Sequence, residues 1–286
     1  MSVVVTGATG PFGRHVVDGL LAAGVTDVVA GGRRLERAAD LGERGARVVE
    51  LDYDRPETLA AAFAGADTVM FVSGSEVGRR VPQHTAVVDA AVAAGVRRVV
   101  YTSAPHADTT ALVVAPEHRA TEALLAASGL VTTVLRNNWY TENYVQQLRQ
   151  AAATGEIVGS VGSGRVASAT RADLAAGAVA ALTTDAYDGQ VLELSGDVAW
   201  TYDELAAAAS EVLGRTVVYR DVTPDEQRAE LVAAGLDEAT AGFVVALDQN
   251  IAAGDLADAT DTLRTLLGRP TTPLADGLAA AWAATA

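Results

Sequence analysis

The sequence contains no cysteine and no lysine, and each absence excludes a class of chemistry. Without cysteine, the chain cannot form disulfides, bind a metal through thiolates or use a thiolate nucleophile. Without lysine, it cannot build the phosphate-binding loop G-x-x-x-x-G-K-[ST]. A G-x-S-x-G serine turn is also missing, and the four histidines are scattered. We therefore expect neither a metal site nor a hydrolase centre.

Positive charge is scarce as well. All 21 basic residues are arginine and 36 residues are acidic, so the formal net charge at pH 7 is −15. A surface for nucleic acid or for an anionic membrane needs a basic patch, so we expect neither partner. The N-terminus lacks a charged segment followed by an apolar one, and no apolar run is long enough to cross a bilayer. We therefore expect a cytoplasmic protein.

The first residues that are informative form a strand, a glycine-rich turn and a helix. Val3–Val5 is a β-branched run that suits a strand buried on both faces. Gly7, Gly10 and Gly13 follow at G-x-x-G-x-x-G spacing, and a helix is predicted to start near Pro11. Such glycines permit a tight turn, a close approach of the backbone to a pyrophosphate, and close packing of helix on strand. The free N–H groups of the helix attract phosphate, so the pattern predicts a dinucleotide site.

The second predicted strand, Asp27–Ala30, ends near Arg33, Arg34 and Arg37. A site for NAD usually has a carboxylate here for the ribose 2′-hydroxyl, whereas a site for NADP has arginine for the 2′-phosphate. No carboxylate occupies this strand end, so we predict NADP(H) as the cofactor, with Arg33 and Arg34 as candidate contacts. The alternative is a solvated helix start in which Glu36 is the local partner.

Strands and helices continue to alternate along the chain, which is typical of a parallel sheet. We predict an α/β protein with a Rossmann doubly wound parallel sheet and a small, mainly helical C-terminal substrate lobe. The NADP-binding core is expected over residues 1–153 and the lobe over 154–286, with 172–195 returning a helix and a strand to the core. The predicted strands are 3–5, 27–30, 47–51, 68–72, 98–101, 131–135, 190–194 and 216–222.

Two carboxylate patterns predict helix caps. Asp54 with Glu57, and Thr201 with Glu204, have the spacing of a capping box. Asp52, at the end of the third strand, could contact the adenine amino group or could belong to a structural turn, and both interpretations stay open.

Three polar residues near the predicted carboxyl edge are candidate proton donors. Ser103 ends the fifth strand, His118 shares a helical face with Glu122, and Tyr140 lies in an aromatic, amide-rich loop after the sixth strand. The alternative for His118 is a helix-surface pair or a buried structural histidine. Trp139 and Tyr140 fit a lining that stacks on a planar ligand, or core packing for the next helix.

The motifs GATGPFG, SGSEVG, PEHRATE, RNNWYTENY and SATRAD, in this order, resemble the NmrA-like branch of atypical short-chain dehydrogenases/reductases. Within that branch the chain is similar to the bacterial NADPH-dependent quinone oxidoreductases, and the resemblance covers nearly the whole chain. Typical short-chain dehydrogenases use a Tyr-x-x-x-Lys pair, which this lysine-free chain cannot have. The branch typically lacks that pair as well.

The resemblance implies which residues contact NADP, and it adds to those already derived. A region around Arg171 is implied to close over the cofactor. The candidate cofactor-binding residues are Gly7, Thr9, Gly10, Pro11, Phe12, Gly13, Arg33, Arg34, Asp52, Ser73, Gly74, Ser75, Asn138, Trp139, Tyr140, Asn143 and Arg171.

The expected activity is hydride transfer from NADPH to a small planar acceptor, with a quinone favoured. The family commonly has glycine at position 138 and serine at position 74, where this chain has Asn138 and Gly74. These departures favour, as one alternative, a carbonyl, imine or enone reductase of secondary metabolism. A second alternative is a non-catalytic NADP(H)-binding redox sensor. The expected partners are a small-molecule quinone or carbonyl substrate and, as an open alternative, a second copy of the chain in a homodimer.

Overall fold

A computed structural model describes residues 1–285, and the chain divides into two compact units. The first unit contains residues 1–108, 114–137 and 171–193, and the second contains 109–113, 138–170 and the chain from Leu194 onward. Apart from residues 171–193, which return to it, the first unit therefore ends at residue 137, whereas the predicted boundary was residue 153. The difference arises because the helix at Val145–Thr154 packs on elements of the second unit.

The strands largely follow the sequence prediction. They are β1 (Ser2–Val5), β2 (Asp27–Gly32), β3 (Arg47–Glu50), β4 (Thr68–Phe71), β5 (Arg98–Ser103), β6 (Val131–Asn137), β7 (Glu156–Gly159), β8 (Arg165–Val166), β9 (Val191–Leu194), β10 (Trp200–Thr201) and β11 (Val218–Asp221).

The helices lie between these strands, with two short 3₁₀ turns at Leu35–Ala38 and Thr141–Tyr144. They are α1 (Pro11–Ala22), α2 (Ala39–Glu43), α3 (Pro56–Phe63), α4 (Arg80–Ala93), α5 (Ala115–Ala127), α6 (Val145–Thr154), α7 (Arg171–Leu182), α8 (Tyr202–Leu213), α9 (Pro224–Ala233), α10 (Glu238–Ala253), α11 (Thr262–Leu267) and α12 (Leu274–Ala283).

The first unit is built on a seven-stranded sheet in the order β3-β2-β1-β4-β5-β6-β9. The pairs from β3 through β6 are all parallel. The order reverses between β1 and β4, which confirms the predicted doubly wound sheet. In such a sheet, ligands bind at the carboxyl ends of the strands beside this reversal.

Both faces of the sheet are covered, as near-continuous valine runs predict. On one face, α3, α4 and α5 pack on alternate strand residues. Arg98 of β5 points to the other face, where it donates hydrogen bonds to the carbonyls of Ala181 and Thr184 at the end of α7. Helices α1 and α7 pack against each other. The core residues that the sheet contributes to the first face include Val4, Val29, Val69, Phe71, Val99, Tyr101 and Val134.

The second unit contains two small sheets and most of the C-terminal helices. Strand β7 pairs in parallel with β11, and β8 pairs antiparallel with β10. The capping box predicted at α8 is confirmed, since Thr201 Oγ1 accepts from the backbone N–H of Glu204 and the Glu204 carboxylate accepts from the N–H of Thr201.

The capping box predicted from Asp54 and Glu57 is wrong. Helix α3 begins at Pro56, so its N-cap is Arg55 and no side chain caps it. Asp54 instead accepts hydrogen bonds from Arg79 and from Gln83. Proline is favoured at the first helical position, and here it moves the helix start one residue past the position that Asp54 could cap.

Within residues 1–285, no helix combines the length and hydropathy that a membrane span requires.

Candidate active site

The glycine-rich turn after β1 has the geometry that its spacing predicts. Gly7 has a φ of +61°, a conformation that favours glycine. The N–H of Gly10 donates to the Gly7 carbonyl over 2.9 Å, and the N–H of Ala8 donates to the Gly31 carbonyl over 2.9 Å. A Cβ at Gly13 would lie 2.4 Å from the Gly7 oxygen. The turn therefore depends on glycine to hold the start of α1 close to the sheet edge.

The start of α1 fits a phosphate group. No side chain caps this helix, and its first turn contains no acidic residue. Free N–H groups and the positive end of the helix dipole favour an anion there. The uncapped helix and the glycine turn together fit a dinucleotide pyrophosphate. The predicted contacts at this turn are Gly7, Thr9, Gly10, Pro11, Phe12 and Gly13, and they stay predictions.

A hydrogen-bond chain beneath the turn joins β1, β4 and the loop after β3. The Thr6 hydroxyl contacts the Tyr53 hydroxyl at 2.5 Å, and Tyr53 donates to the Val72 carbonyl over 2.6 Å. The N–H of Val72 donates back to Thr6 Oγ1 over 2.9 Å. Burial raises the pKa of the Tyr53 phenol, so this hydroxyl stays protonated and can donate. The chain fixes the strand ends that border the turn.

Arg33 follows β2, where the ribose of an adenosine would lie in this fold. Its side chain is 56% exposed, and its Nη1 lies 2.9 Å from Glu76 Oε1. An exposed ion pair of this kind contributes little stability, so a phosphate could replace the carboxylate at low cost. Glu76, rather than Glu36, is the partner. Arg34 is also exposed, and it makes no ion pair with residues 1–285. Both arginines stay predicted NADP contacts.

Asp52 belongs to a turn in the structure. Its Oδ1 accepts from the N–H of Asp54 over 3.1 Å, and its own N–H donates to Thr58 Oγ1 over 3.0 Å. This arrangement favours the structural alternative, and the adenine contact stays a prediction.

The loop after β4, which contains Ser73, Gly74 and Ser75, is held by partners that the sequence analysis missed. The N–H of Gly74 donates to His84 Nε2 over 2.9 Å, and Arg80 Nε donates to the Gly74 carbonyl over 2.6 Å. Burial lowers the pKa of His84 to about 3, so its ring is neutral and Nε2 can accept. Both partners lie at the start of α4. The sequence did contain a signal for this contact. His84 lies on the apolar face of the helix that directly follows the loop at Gly74.

Ser103, at the end of β5, is linked through Glu122 of α5 to Arg136 of β6. Its hydroxyl donates to Glu122 Oε1 over 2.5 Å. Arg136 binds the same carboxylate in a bidentate manner, with Nε to Oε1 at 3.0 Å and Nη2 to Oε2 at 2.7 Å. Because the Ser103 proton is directed to Glu122, the free lone pairs of its oxygen suit it to accept from a ligand rather than to donate.

His118 lies in the layer between α5 and the sheet. It is 5% exposed, and its Nδ1 lies 2.8 Å from the Tyr101 hydroxyl. Burial lowers the pKa of His118 to about 3, so the ring is neutral at pH 7. These observations favour the structural alternative for His118. Its role as a proton source stays a prediction.

The aromatic loop of the second unit is anchored by Asn138. Its backbone N–H donates to the Leu194 carbonyl over 2.8 Å, and its Nδ2 donates to the Leu256 carbonyl over 3.3 Å. Its Oδ1 accepts from the N–H of Trp139 over 2.6 Å. The Trp139 carbonyl in turn accepts from the N–H of Ala169 over 3.1 Å. The Asn138 side chain therefore supports the loop from inside.

Four other predicted residues lie on this loop or at the start of α7. Trp139, Tyr140 and Asn143 are half-buried, as is Arg171, the first residue of α7 in the first unit. Their predicted roles toward cofactor and acceptor stay predictions. No group of His, Cys, Asp and Glu side chains suited to a metal ion occurs within residues 1–285.

Residues 7–185 match the profile of the NAD(P)H-binding family. Among curated proteins, quinone oxidoreductase 2 of Escherichia coli is 40% identical over 277 residues, which cover 96% of this chain and 97% of that protein. An NmrA-like family domain-containing oxidoreductase of Aspergillus flavus is 29% identical over 293 residues, which cover 97% of this chain and 94% of that protein.

Solved structures match over almost the full length. The crystal structure of the NADPH-dependent quinone oxidoreductase QOR2 from E. coli with NADPH has a TM-score of 0.92 at 40% identity, covering 97% of this chain and 99% of that one. The structure of the Citrobacter sp. triphenylmethane reductase with NADP(H) has a TM-score of 0.91 at 36% identity, covering 98% of this chain and 100% of that one.

Proposed function

The chain belongs to the NAD(P)H-binding family, and from that premise we propose that it is an NADPH-dependent reductase that transfers hydride to a small planar acceptor, with quinones as the acceptor class. The resemblance to NmrA-like proteins and bacterial quinone oxidoreductases is confirmed. The observation that carries the proposal is the glycine turn before α1, in which a Cβ at Gly13 would lie 2.4 Å from the Gly7 carbonyl oxygen.

The preference for NADPH over NADH rests on Arg33. The end of β2 offers arginine and no carboxylate to a ribose. A guanidinium suits a phosphate because it can donate two parallel hydrogen bonds, whereas a ribose hydroxyl is recognised by an acidic acceptor. Glu76 holds the Arg33 side chain beside the loop after β4 until a phosphate competes for it.

The preference for a quinone rests on the state of two candidate proton donors of the first unit, Ser103 and His118. The Ser103 hydroxyl donates to Glu122, and His118 is buried and neutral. When bound, NADPH would supply the hydride, and the protein would orient it and exclude water. A reduced quinone leaves as a stabilised phenolate that can take its protons from water. A reduced ketone is a far more basic alkoxide and needs a positioned acid.

Two relatives act on acceptors that share this property. Quinones and cationic triphenylmethane dyes are conjugated electrophiles, and neither needs an enzymatic acid for hydride to add. The quinone oxidoreductase and the triphenylmethane reductase thus both support an acceptor that takes up hydride without an acid from the protein. Trp139 and Tyr140 stay candidates for stacking on such an acceptor.

The proposal is tested by following NADPH loss by absorbance with purified protein and a panel of quinones, ketones and enones. We expect turnover of quinones with NADPH and much slower turnover with NADH. Ketone turnover that exceeds quinone turnover would support the carbonyl reductase alternative. Tight NADPH binding without oxidation by any acceptor would support the redox sensor.

Cytoplasmic location and a homodimer stay predictions. Size-exclusion chromatography with light scattering of the purified chain, with and without NADPH, measures the assembly state directly.

A further inference from the structure

Asn137, the last residue of β6, has an amide group without hydrogen-bond partners among residues 1–285. The residue is 6% exposed, and neither its Oδ1 nor its Nδ2 makes a hydrogen bond to any of residues 1–285. Buried polar groups are nearly always paired, because leaving them unpaired costs folding free energy. An amide that is buried and unpaired on both atoms, at the ligand-binding edge of a sheet, indicates a ligand.

The residues on either side of Asn137 are satisfied. Arg136 binds Glu122 in a bidentate manner and also contacts Asp108 and Glu193. The Asn138 amide is used on both atoms, by the Leu256 carbonyl and the Trp139 N–H. The side chains of Arg136 and Asn138 thus have hydrogen-bond partners within the described chain, whereas the Asn137 amide has none.

The position of Asn137 in the sheet indicates which part of the cofactor would lie near it. The sheet order reverses between β1 and β4, and Arg33 marks the β2 side as the side of the phosphorylated ribose. The nicotinamide half then lies on the other side of the reversal, over the ends of β4, β5 and β6. Asn137 ends β6 and so lies on the nicotinamide side.

The direction of the side chain agrees with this position. Successive strand residues point to opposite faces, and Arg136 points to α5. Asn137 therefore points to the other face. Arg98, which also lies on that face, contacts the end of α7, and α7 packs on α1, the helix whose start fits the pyrophosphate.

We propose that the Asn137 side chain binds the carboxamide of the nicotinamide ring. A primary carboxamide has one acceptor oxygen and an NH₂ donor, so two such groups can pair reciprocally. Asn137 Oδ1 would accept from the nicotinamide NH₂, and Nδ2 would donate to its carbonyl oxygen. This inference rests on the proposed function, and it adds a residue that the sequence analysis missed by beginning the cofactor loop at Asn138.

The main test compares Asn137→Leu with the unmodified protein. Leucine has the same number of side-chain heavy atoms and the same branching, but it cannot form hydrogen bonds. Dissociation constants are measured by calorimetry for NADPH and for 2′,5′-ADP, which lacks the nicotinamide half. We expect about a tenfold loss of NADPH affinity and no change for 2′,5′-ADP. Arg33→Ala is the matched control, since it should weaken both ligands.

A second measurement isolates the amide contact. In 3-acetylpyridine adenine dinucleotide phosphate a methyl group replaces the carboxamide NH₂. The unmodified protein should bind this analogue several-fold more weakly than NADP⁺, whereas Asn137→Leu should bind the two equally. Without ligand, Asn137→Leu should melt at the same or a higher temperature, because it removes an unpaired buried amide.

Three results would overturn the inference. An unchanged NADPH affinity in Asn137→Leu would do so, and a raised KM for the acceptor alone would assign the residue to the acceptor instead. A large drop in melting temperature with normal discrimination between NADP⁺ and the analogue would assign it to the fold. If the unmodified protein binds neither NADPH nor 2′,5′-ADP, the proposed function itself fails.

Discussion

At the scale of single residues, Arg33 shows how a weak surface contact can serve recognition. Its ion pair with Glu76 is exposed and orients the guanidinium, but it is weak enough for a phosphate to replace the carboxylate. A 2′-phosphate carries more charge and more acceptor oxygens than one carboxylate does, so it should win the competition for Arg33.

We predict that Arg33→Ala weakens NADPH binding by about 1.5–3 kcal/mol, roughly a 10- to 150-fold loss, and leaves NADH binding nearly unchanged. Fluorescence titration with each cofactor measures the effect. Arg79→Ala is a matched control, because Arg79 is also exposed and also contacts Glu76, at 3.5 Å. Equal losses for NADPH and NADH in Arg33→Ala would show that Arg33 is structural.

At the scale of elements, the junction of β1 and α1 is packed so closely that there is no room for a side chain at Gly13. A Cβ at Gly13 would meet the Gly7 carbonyl oxygen at 2.4 Å and the Ala8 Cα at 3.0 Å. These are backbone atoms of the turn itself. Any relief would shift the N–H groups that the helix offers to a phosphate.

We predict that Gly13→Ala lowers the free energy of unfolding by about 1–3 kcal/mol and reduces NADPH affinity by tenfold or more. Gly42→Ala in α2 is the control, since its Cβ would lie 3.5 Å from the Val48 side chain, an ordinary contact. That change should stabilise the protein by up to about 1 kcal/mol, as alanine favours a helix. Urea unfolding and a cofactor titration measure both quantities, and equal behaviour of the two variants would contradict the account.

The two predicted capping boxes show where local pattern succeeds. Thr201 and Glu204 cap α8 because no competing signal shifts the helix start. Asp54 and Glu57 have the same spacing, but Pro56 determines the helix start and Asp54 is drawn to Arg79 and Gln83 of another segment. Spacing alone could not reveal those distant partners.

At the scale of the whole molecule, two buried histidines couple stability to pH. His84 and His118 lie in the layer of α4 and α5 beside the sheet, and Arg80 adds to the effect of burial on both rings. Each folded-state pKa is lowered to about 3, whereas an unfolded histidine titrates near its ordinary value of about 6.5. Between these values only the unfolded chain takes up the proton. Stability is therefore full above about pH 6.5 and falls as the pH decreases.

We predict that the free energy of unfolding falls between pH 7.5 and 5 by on the order of 2 kcal/mol for each of these histidines. Urea unfolding across this range measures the slope. His84→Gln and His118→Gln should each flatten the slope, while His15→Gln, which changes an exposed histidine, should leave it as it is. A slope that no histidine variant alters would show that other groups carry the pH dependence.

The sequence by itself determined the order of strands and helices, the glycine turn, the NADP-type strand end and the family, because these features depend on neighbours in the chain. Only the tertiary structure decided which polar groups remain available. Ser103 donates to Glu122, His118 pairs with Tyr101, and Asn138 supports its own loop, whereas the Asn137 amide has no partner among residues 1–285. Each outcome depends on side chains that are distant in sequence or on the face to which a strand residue points. Residue type and spacing in the sequence do not reveal which distant side chains become partners, nor the face to which a strand residue points.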